Sequence, residues 1–237
     1  MTTIRNPKQE GSRLFDCKPQ VGLCPMNCNQ CFYNRPGAFY VDPELPHMPD
    51  PSELGPLDVM RVNSGHDSNI EREKVIAETA CYPNRFFNTA IPKFDFPGPV
   101  VFTANREEEK PATLPHEISM PENLMYVRLR TSATNLSHVG DALRAWTSNF
   151  IPVVLTFMSY YDGEPPNRTD YEWKKRHINE YWCPTREFRA KVLRAAKLYG
   201  GRLVGLCGTL DSNWCRDCGK CEHWYWLTRR HMEEIAR

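Results

Sequence analysis

The chain has 237 residues, of which 41% are hydrophobic and 25% are charged, and both values are typical of globular proteins rather than disordered ones. No apolar run approaches the roughly 20 residues that a membrane-spanning helix needs, and residues 1–11 lack the apolar core of a signal peptide, so we expect neither a membrane protein nor a secreted one. The net charge is +1, but residues 1–164 carry −5 and residues 165–237 carry +6, so only the C-terminal third favours an anionic partner.

Short apolar runs alternate with helical patterns along the chain. Apolar runs with few charges predict strands at residues 13–18, 58–63, 99–103, 125–130, 152–158 and 202–207. Apolar residues at helical spacing predict helices at residues 70–80, 137–150 and 186–199. Asp67 or Ser68 is expected to cap the first helix, and Ser137 the second. This alternation predicts βαβ units and a parallel sheet or barrel.

Ten cysteines without a secretory signal indicate metal or redox chemistry rather than a disulfide framework. Cys24, Cys28 and Cys31 lie within eight residues, so their thiolates can converge on one metal centre. Three ligands would leave one iron of a four-iron cluster open, as catalytic metal sites usually are. A zinc site with a distant fourth ligand is the alternative. Cys17 and Cys81 are expected to be ordinary buried thiols.

The C-x3-C-x2-C spacing of Cys24, Cys28 and Cys31, followed by Phe32 and Tyr33, resembles the signature of the radical S-adenosylmethionine (radical SAM) enzymes. The resemblance implies an α/β fold: a partial (β/α)6 TIM-like barrel over residues 1–206 with a Cys-rich extension at residues 207–237. It implies that the three cysteines hold a [4Fe-4S] cluster whose open iron is chelated by SAM. Reductive cleavage of SAM would then give a 5′-deoxyadenosyl radical that abstracts hydrogen from a substrate.

The resemblance also implies partners and a location. A flavodoxin- or ferredoxin-like protein would supply the electron, and the cluster would need the reducing conditions of the cytoplasm. The sequence does not identify the substrate.

The same resemblance places SAM-binding residues at the ends of the predicted strands. In the family a Gly-rich acidic motif follows the second strand, and here that place reads Asn63-Ser64-Gly65-His66-Asp67, with Asn63, Ser64, Gly65 and Asp67 as the implied contacts. Later strand ends contribute Thr103, Asn105, Arg128, Arg130 and Ser132, and an arginine would pair with the SAM carboxylate. The alternatives are an ordinary turn with a helix cap at residues 63–67 and an outward strand face for the arginines. Gln30 departs from the family, in which an aromatic residue often precedes the third cysteine.

A second triplet lies near the end of the sequence. Cys215, Cys218 and Cys221 have the C-x2-C-x2-C spacing that ferredoxin-type clusters use. Cys207 is the expected fourth ligand, with Cys183 and His223 in reserve. We expect either a second [4Fe-4S] cluster or zinc at this site.

Basic and aromatic residues interleave at residues 171–182 and 223–231. Such a pattern can bind nucleic acid, because aromatic rings stack on bases and cations pair with phosphates, but it is more often an amphipathic helix with a solvated face. We therefore favour helices here and do not favour a nucleic-acid partner. The competing interpretation of the whole chain is a non-catalytic zinc-binding protein that contacts nucleic acid through its basic C-terminal third.

Overall fold

A computed structural model describes residues 4–33, 40–175 and 180–237. It contains nine strands: β1 (Leu14–Cys17), β2 (Val59–Val62), β3 (Arg85–Thr89), β4 (Val100–Thr103), β5 (Leu124–Thr131), β6 (Val153–Phe157), β7 (Tyr171–Lys175), β8 (Glu180–Pro184) and β9 (Val204–Leu206). Seven of them form one parallel sheet in the order β1-β2-β3-β4-β5-β6-β9, which curls into a half-barrel. β7 and β8 form a separate antiparallel pair.

The six predicted strands are confirmed, with ends that shift by one or two residues, and their apolar side chains are buried. The partial barrel is therefore correct in outline, but it has seven strands rather than six. The additional strand is β3, which the apolar pattern missed because Arg85 and Asn88 interrupt it. Asn88 is nevertheless buried, since its amide donates to the Val62 carbonyl over 2.7 Å.

Three helices cover one face of the sheet, which we call the outer face. These are α1 (Arg72–Glu78), α2 (Leu136–Ser148) and α3 (Arg186–Gly200), close to the predicted positions. Their apolar side chains, such as Trp146 and Phe188, join one buried cluster with outward residues of the strands, such as Phe102 and Leu155. This cluster is the main core of the protein.

The predicted helix caps were wrong. α1 begins after Glu71, which makes no side-chain cap, because Asp67 and Ser68 lie too far ahead of it. α2 begins after Asn135, so Ser137 lies inside the helix.

Two helices follow β9: the short α4 (Cys215–Cys218) and the longer α5 (Lys220–Ile235). α5 packs on the other side of the sheet, which we call the inner face, where Tyr225 joins a buried cluster with Leu14, Phe86 and Tyr126. α5 confirms the predicted helix at residues 223–231. None of the helices in the described ranges has both the length and the apolar character needed to cross a membrane.

The expected helix at residues 171–182 was wrong, because β7 and β8 form a hairpin there, and residues 176–179 lie outside the described part of the chain. Five successive residues of β7 pair with five of β8, from Tyr171 with Pro184 to Lys175 with Glu180, and four of the five β7 residues are exposed. The expectation for the two remaining thiols was half right. Cys17, the last residue of β1, is buried in the main core, but Cys81 is exposed in a single 3-10 turn after α1.

Candidate functional site

Polar side chains from neighbouring strands form a layer on the inner face. Asp16 and Arg61 stand opposite each other on β1 and β2, and Thr103 and Arg128 do so on β4 and β5. The Arg61 guanidinium binds the Asp16 carboxylate through Nε at 2.7 Å and Nη2 at 3.1 Å. Burial opposes ionisation of Asp16, but the charge and hydrogen bonds of Arg61 outweigh it, so the pKa of Asp16 is lowered. The Asp16 carboxylate is thus ionised at neutral pH and paired with Arg61.

The loop after β1 carries the first cysteine triplet above this layer. Cys24, Cys28 and Cys31 are all half-buried. Two tight turns shape the loop: the Asn27 amide donates to the Cys24 carbonyl over 3.4 Å, and the Cys31 amide to the Cys28 carbonyl over 3.1 Å. Asn27 and Gln30 have positive φ angles of 41° and 52°, which bend the chain immediately before Cys28 and Cys31. The three cysteines therefore lie on one compact, twice-turned segment, which we call the Cys loop.

Two hydrogen-bonded contacts attach the Cys loop to the carboxyl end of the sheet. Arg130, at the end of β5, donates its guanidinium hydrogens to the carbonyl oxygens of Asn29 and Arg106. The Gln30 side chain accepts a hydrogen bond of 3.0 Å from the Tyr161 amide, beyond β6. The loop is thereby fixed to segments more than a hundred residues away in sequence.

A third contact is one of packing. The ring of Tyr33 lies directly against Gly65 in the loop after β2, so that a Cβ atom at position 65 would stand 1.8 Å from the ring. Glycine is required here by this close approach. The pairing holds the end of the Cys loop against the implied SAM-binding turn.

The donor set of the Cys loop fits an iron–sulfur cluster. Thiolates are the ligands that such clusters use, and the Arg130 guanidinium faces Cys28 and Cys31 as a compensating positive charge. Burial raises the pKa of Cys24 to about 11, so metal binding there would release a proton. Within the described ranges, no three or more His, Cys, Asp or Glu side chains are drawn together closely enough to hold a metal ion. The fit accordingly rests on the chemistry of the donors and on their shared loop.

The carboxylate of Asp67, an implied SAM contact, is occupied by the protein itself. It accepts hydrogen bonds from the Asn69 amide at 2.9 Å, the Thr89 hydroxyl at 2.8 Å and the Ala90 amide at 2.6 Å. These bonds join the loops that follow β2 and β3. The geometry favours the alternative of a structural turn, and SAM binding by Asp67 stays a prediction.

Four further implied contacts also use their polar atoms in hydrogen bonds within the protein. Asn105 exchanges two hydrogen bonds of 2.7 Å with the backbone of Arg130, which extends the pairing of β4 and β5. Ser132 shares a hydrogen bond of 2.9 Å with the Thr134 hydroxyl. The Arg130 guanidinium donates to backbone carbonyl oxygens, one of which belongs to the Cys loop. Ser64 is similarly engaged, because its hydroxyl donates to Asp16 over 3.2 Å.

Unused hydrogen-bonding capacity lies on a smaller set of residues. The buried Oδ1 of Asn63 accepts no hydrogen bond from any described residue, and neither does the hydroxyl of Thr156, which stands opposite Arg130 on β6. Arg128 is half-buried, and its Nη2 donates to Asn88 over 3.2 Å. The sequence analysis did not select Thr156 as a site residue. The signal that could have identified it is a polar threonine within the apolar run 152–158. The part of the site best able to receive a polar ligand is therefore formed by Asn63, Arg128 and Thr156.

The second triplet lies at the opposite, amino half of the inner face. Cys215 and Cys218 are the first and last residues of α4, Cys221 lies in the first turn of α5, and Cys207 directly follows β9. The Sγ atom of Cys221 is 3.3 Å from the Tyr126 hydroxyl. Of the two reserves, Cys183 lies in the hairpin strand β8 and His223 is exposed on α5.

Comparisons of the chain with family models, with curated proteins and with solved structures find no match. The structure establishes the class of fold, a mixed α/β half-barrel of seven parallel strands. The radical SAM interpretation continues to depend on the cysteine spacing and on the position of the Cys loop.

Proposed function

We propose that this protein is a radical SAM enzyme whose [4Fe-4S] cluster is held by Cys24, Cys28 and Cys31. The observation that carries the proposal is the position of the Cys loop. It lies at the carboxyl end of a parallel half-barrel, which is the end at which barrel enzymes place their active sites. A purely structural zinc knuckle has no need of that position.

The residues of the site would each have a defined task. When bound, the cluster and SAM supply a 5′-deoxyadenosyl radical that removes a hydrogen atom from the substrate. Arg130 and Gln30 fix the Cys loop over the inner face. The side-chain Oδ1 of Asn63 would accept a hydrogen bond from the SAM ammonium, and Arg128 would bind the SAM carboxylate. α5 excludes water from the amino half of the inner face.

The wider setting belongs to the same proposal. A flavodoxin- or ferredoxin-like donor would reduce the cluster, and a reducing, cytoplasmic environment would preserve it.

The competing function, a zinc protein that binds nucleic acid, gains little from the hairpin. Two of its cations are already paired: Lys174 with Glu172 at 2.9 Å and Lys175 with Glu180 at 3.0 Å. Such exposed pairs contribute little stability, but they reduce the positive field that a polyanion would require.

Cleavage of SAM tests the proposal. Protein reconstituted anaerobically with iron and sulfide, then given dithionite and SAM, should produce 5′-deoxyadenosine, as measured by liquid chromatography. Replacement of Cys24, Cys28 and Cys31 by alanine should abolish the product, because no thiolate then remains to hold the cluster.

The matched control is Cys81→Ala, since Cys81 is exposed and lies outside both triplets. It should form the product at the wild-type rate. Product formation by the triple variant, or a colourless wild-type protein that binds only zinc, would contradict the proposal.

A further inference from the structure

The four cysteines at positions 207, 215, 218 and 221, which we call the second cysteine group, surround the point where α5 enters the inner face. Cys215 and Cys221 pack against the same buried cluster as Tyr126 and Tyr225. Cys207 follows β9, whose Gly205 is so close to Lys220 that a Cβ atom there would stand 2.7 Å from the lysine Cε. The group thus lies between the last strand of the sheet and the helix that covers it.

Hydrogen-bond donors point towards the sulfur atoms of this group. The Lys220 ammonium donates to the Gly208 carbonyl over 3.1 Å and to the Cys218 sulfur over 3.5 Å. The Tyr126 hydroxyl lies 3.3 Å from the Cys221 sulfur. Arg61 and Arg128 add positive charge beside Cys221. Cations and donors around thiol sulfurs are what a negatively charged thiolate-bound metal centre requires.

α5 buries few of its residues completely. Of its sixteen residues Tyr225 and Thr228 are buried, while Cys221, Trp224 and Trp226 are partly buried against the inner cluster. The segment between β9 and α5 contains just the four-residue helix α4, and it turns at Gly219 with a positive φ of 62°. Metal binding at the start of α5 would add folding free energy to that of this partly exposed packing.

We propose that the second cysteine group binds a [4Fe-4S] cluster that holds α5 on the inner face of the half-barrel. The two cysteine groups contact the same strand at different levels. Cys221 is close to the Tyr126 hydroxyl, and the Cys loop contacts Arg130, which is four residues or about 13 Å farther along β5. Cys207 follows Leu206, which pairs with Leu155, so it reaches the level of Arg130. This proposal does not depend on SAM cleavage at the first group.

Metal analysis combined with hydrogen exchange tests it. Anaerobically reconstituted wild-type protein should hold roughly eight irons per chain, and a Cys215/Cys218/Cys221 triple alanine variant should hold about four. In that variant the amides of residues 220–235 should lose protection from exchange, while those of α2 and α3 keep it. The Cys24/Cys28/Cys31 variant should also hold about four irons, but with α5 still protected.

Two further variants separate metal loss from misfolding. Cys207→Ala should lose iron only in part, because three thiolates remain. Tyr126→Phe should keep roughly eight irons, and the electron paramagnetic resonance spectrum of the second cluster should change, since one hydrogen bond to its ligand sulfur is removed.

Some results would overturn the proposal. These are one zinc in place of the second set of irons, unchanged protection of α5 in the iron-depleted triple variant, or an unaltered spectrum in Tyr126→Phe. Absence of 5′-deoxyadenosine from a protein that holds eight irons would contradict the proposed function and leave this inference standing.

Discussion

Gly65 shows how a single hydrogen atom in place of a methyl group can shape the candidate site. The Tyr33 ring occupies the space that any side chain at position 65 would need, so the end of the Cys loop lies against the turn after β2. Tyr33 is only two residues from Cys31. A change at Gly65 therefore acts on the position of the third cysteine.

Gly65→Ala should displace the Tyr33 ring and lower the iron content of the first group. The overpacking should also cost about 1–3 kcal/mol of unfolding free energy. Iron analysis after reconstitution and urea denaturation measure the two effects.

Two variants serve as controls for this prediction. Gly140→Ala lies in α2 with open space around its Cβ position, so it should leave the iron content unchanged. The double variant Gly65→Ala/Tyr33→Ala removes the clashing ring and should recover part of the lost iron. An iron content in Gly65→Ala equal to that of the wild type would show that this packing does not position the loop.

At this scale the sequence predicted where the reactive cysteines lie but not what the surrounding polar residues do. The spacing of Cys24, Cys28 and Cys31 marks a ligand loop by itself, because their chemistry is local. The partners of Asp67 and Arg130 come from other loops, at Ala90 and Asn29, and short-range patterns carry no information about them. Strand ends alone therefore suggested more ligand-binding residues than the fold leaves available.

The elements show the same division between local and distant causes. The buried strands were predictable because they are short apolar runs, and β3 was missed because Arg85 and Asn88 interrupt its pattern. We expected a helix where the hairpin lies, because its mixture of aromatic and charged residues is compatible with the periodicity of a helix and with that of a strand. Its pairing depends on Tyr160, which bonds to the Trp182 backbone from outside the segment.

Helix caps give a test at the scale of elements. The Thr185 hydroxyl accepts a hydrogen bond of 3.2 Å from the Phe188 amide at the start of α3, whereas Ser137 lies within α2. Thr185→Ala should lower the unfolding free energy by about 1 kcal/mol, because one amide of the first turn loses its partner. Ser137→Ala should change it by less than about 0.5 kcal/mol, since alanine is a good helix former.

Urea denaturation of the two variants under identical conditions makes the comparison. A larger loss in Ser137→Ala than in Thr185→Ala would mean that α2 starts at the residue expected from the sequence.

The whole molecule consists of a sheet covered on both faces. α1, α2 and α3 cover the outer face, and α5, with Cys215 of α4 beside it, covers the amino half of the inner face. The sequence predicts a core at residues 1–206 and an extension at residues 207–237. In the structure Tyr225 of the extension packs on Leu14, Phe86 and Tyr126 of the core, so the two parts share one apolar cluster.

Removal of residues 207–237 should expose that inner apolar cluster to solvent. The truncated chain should bind the dye 1-anilinonaphthalene-8-sulfonate more strongly than the full chain and should unfold at a lower temperature, because apolar burial is lost. A truncated chain with unchanged dye binding and melting temperature would mean that α5 contributes nothing to the fold of residues 1–206.

The sheet order has a consequence for how the protein is made. From β1 to β6, the order of the strands in the half-barrel is the same as their order in the chain. A growing polypeptide can therefore add them one by one as it leaves the ribosome. The Arg13 amide, however, binds the Glu222 carboxylate across 209 residues of sequence, at 3.0 Å. The sheet can thus be largely assembled during translation, while its inner face stays open to incoming iron, sulfide or chaperones until α5 has been synthesised.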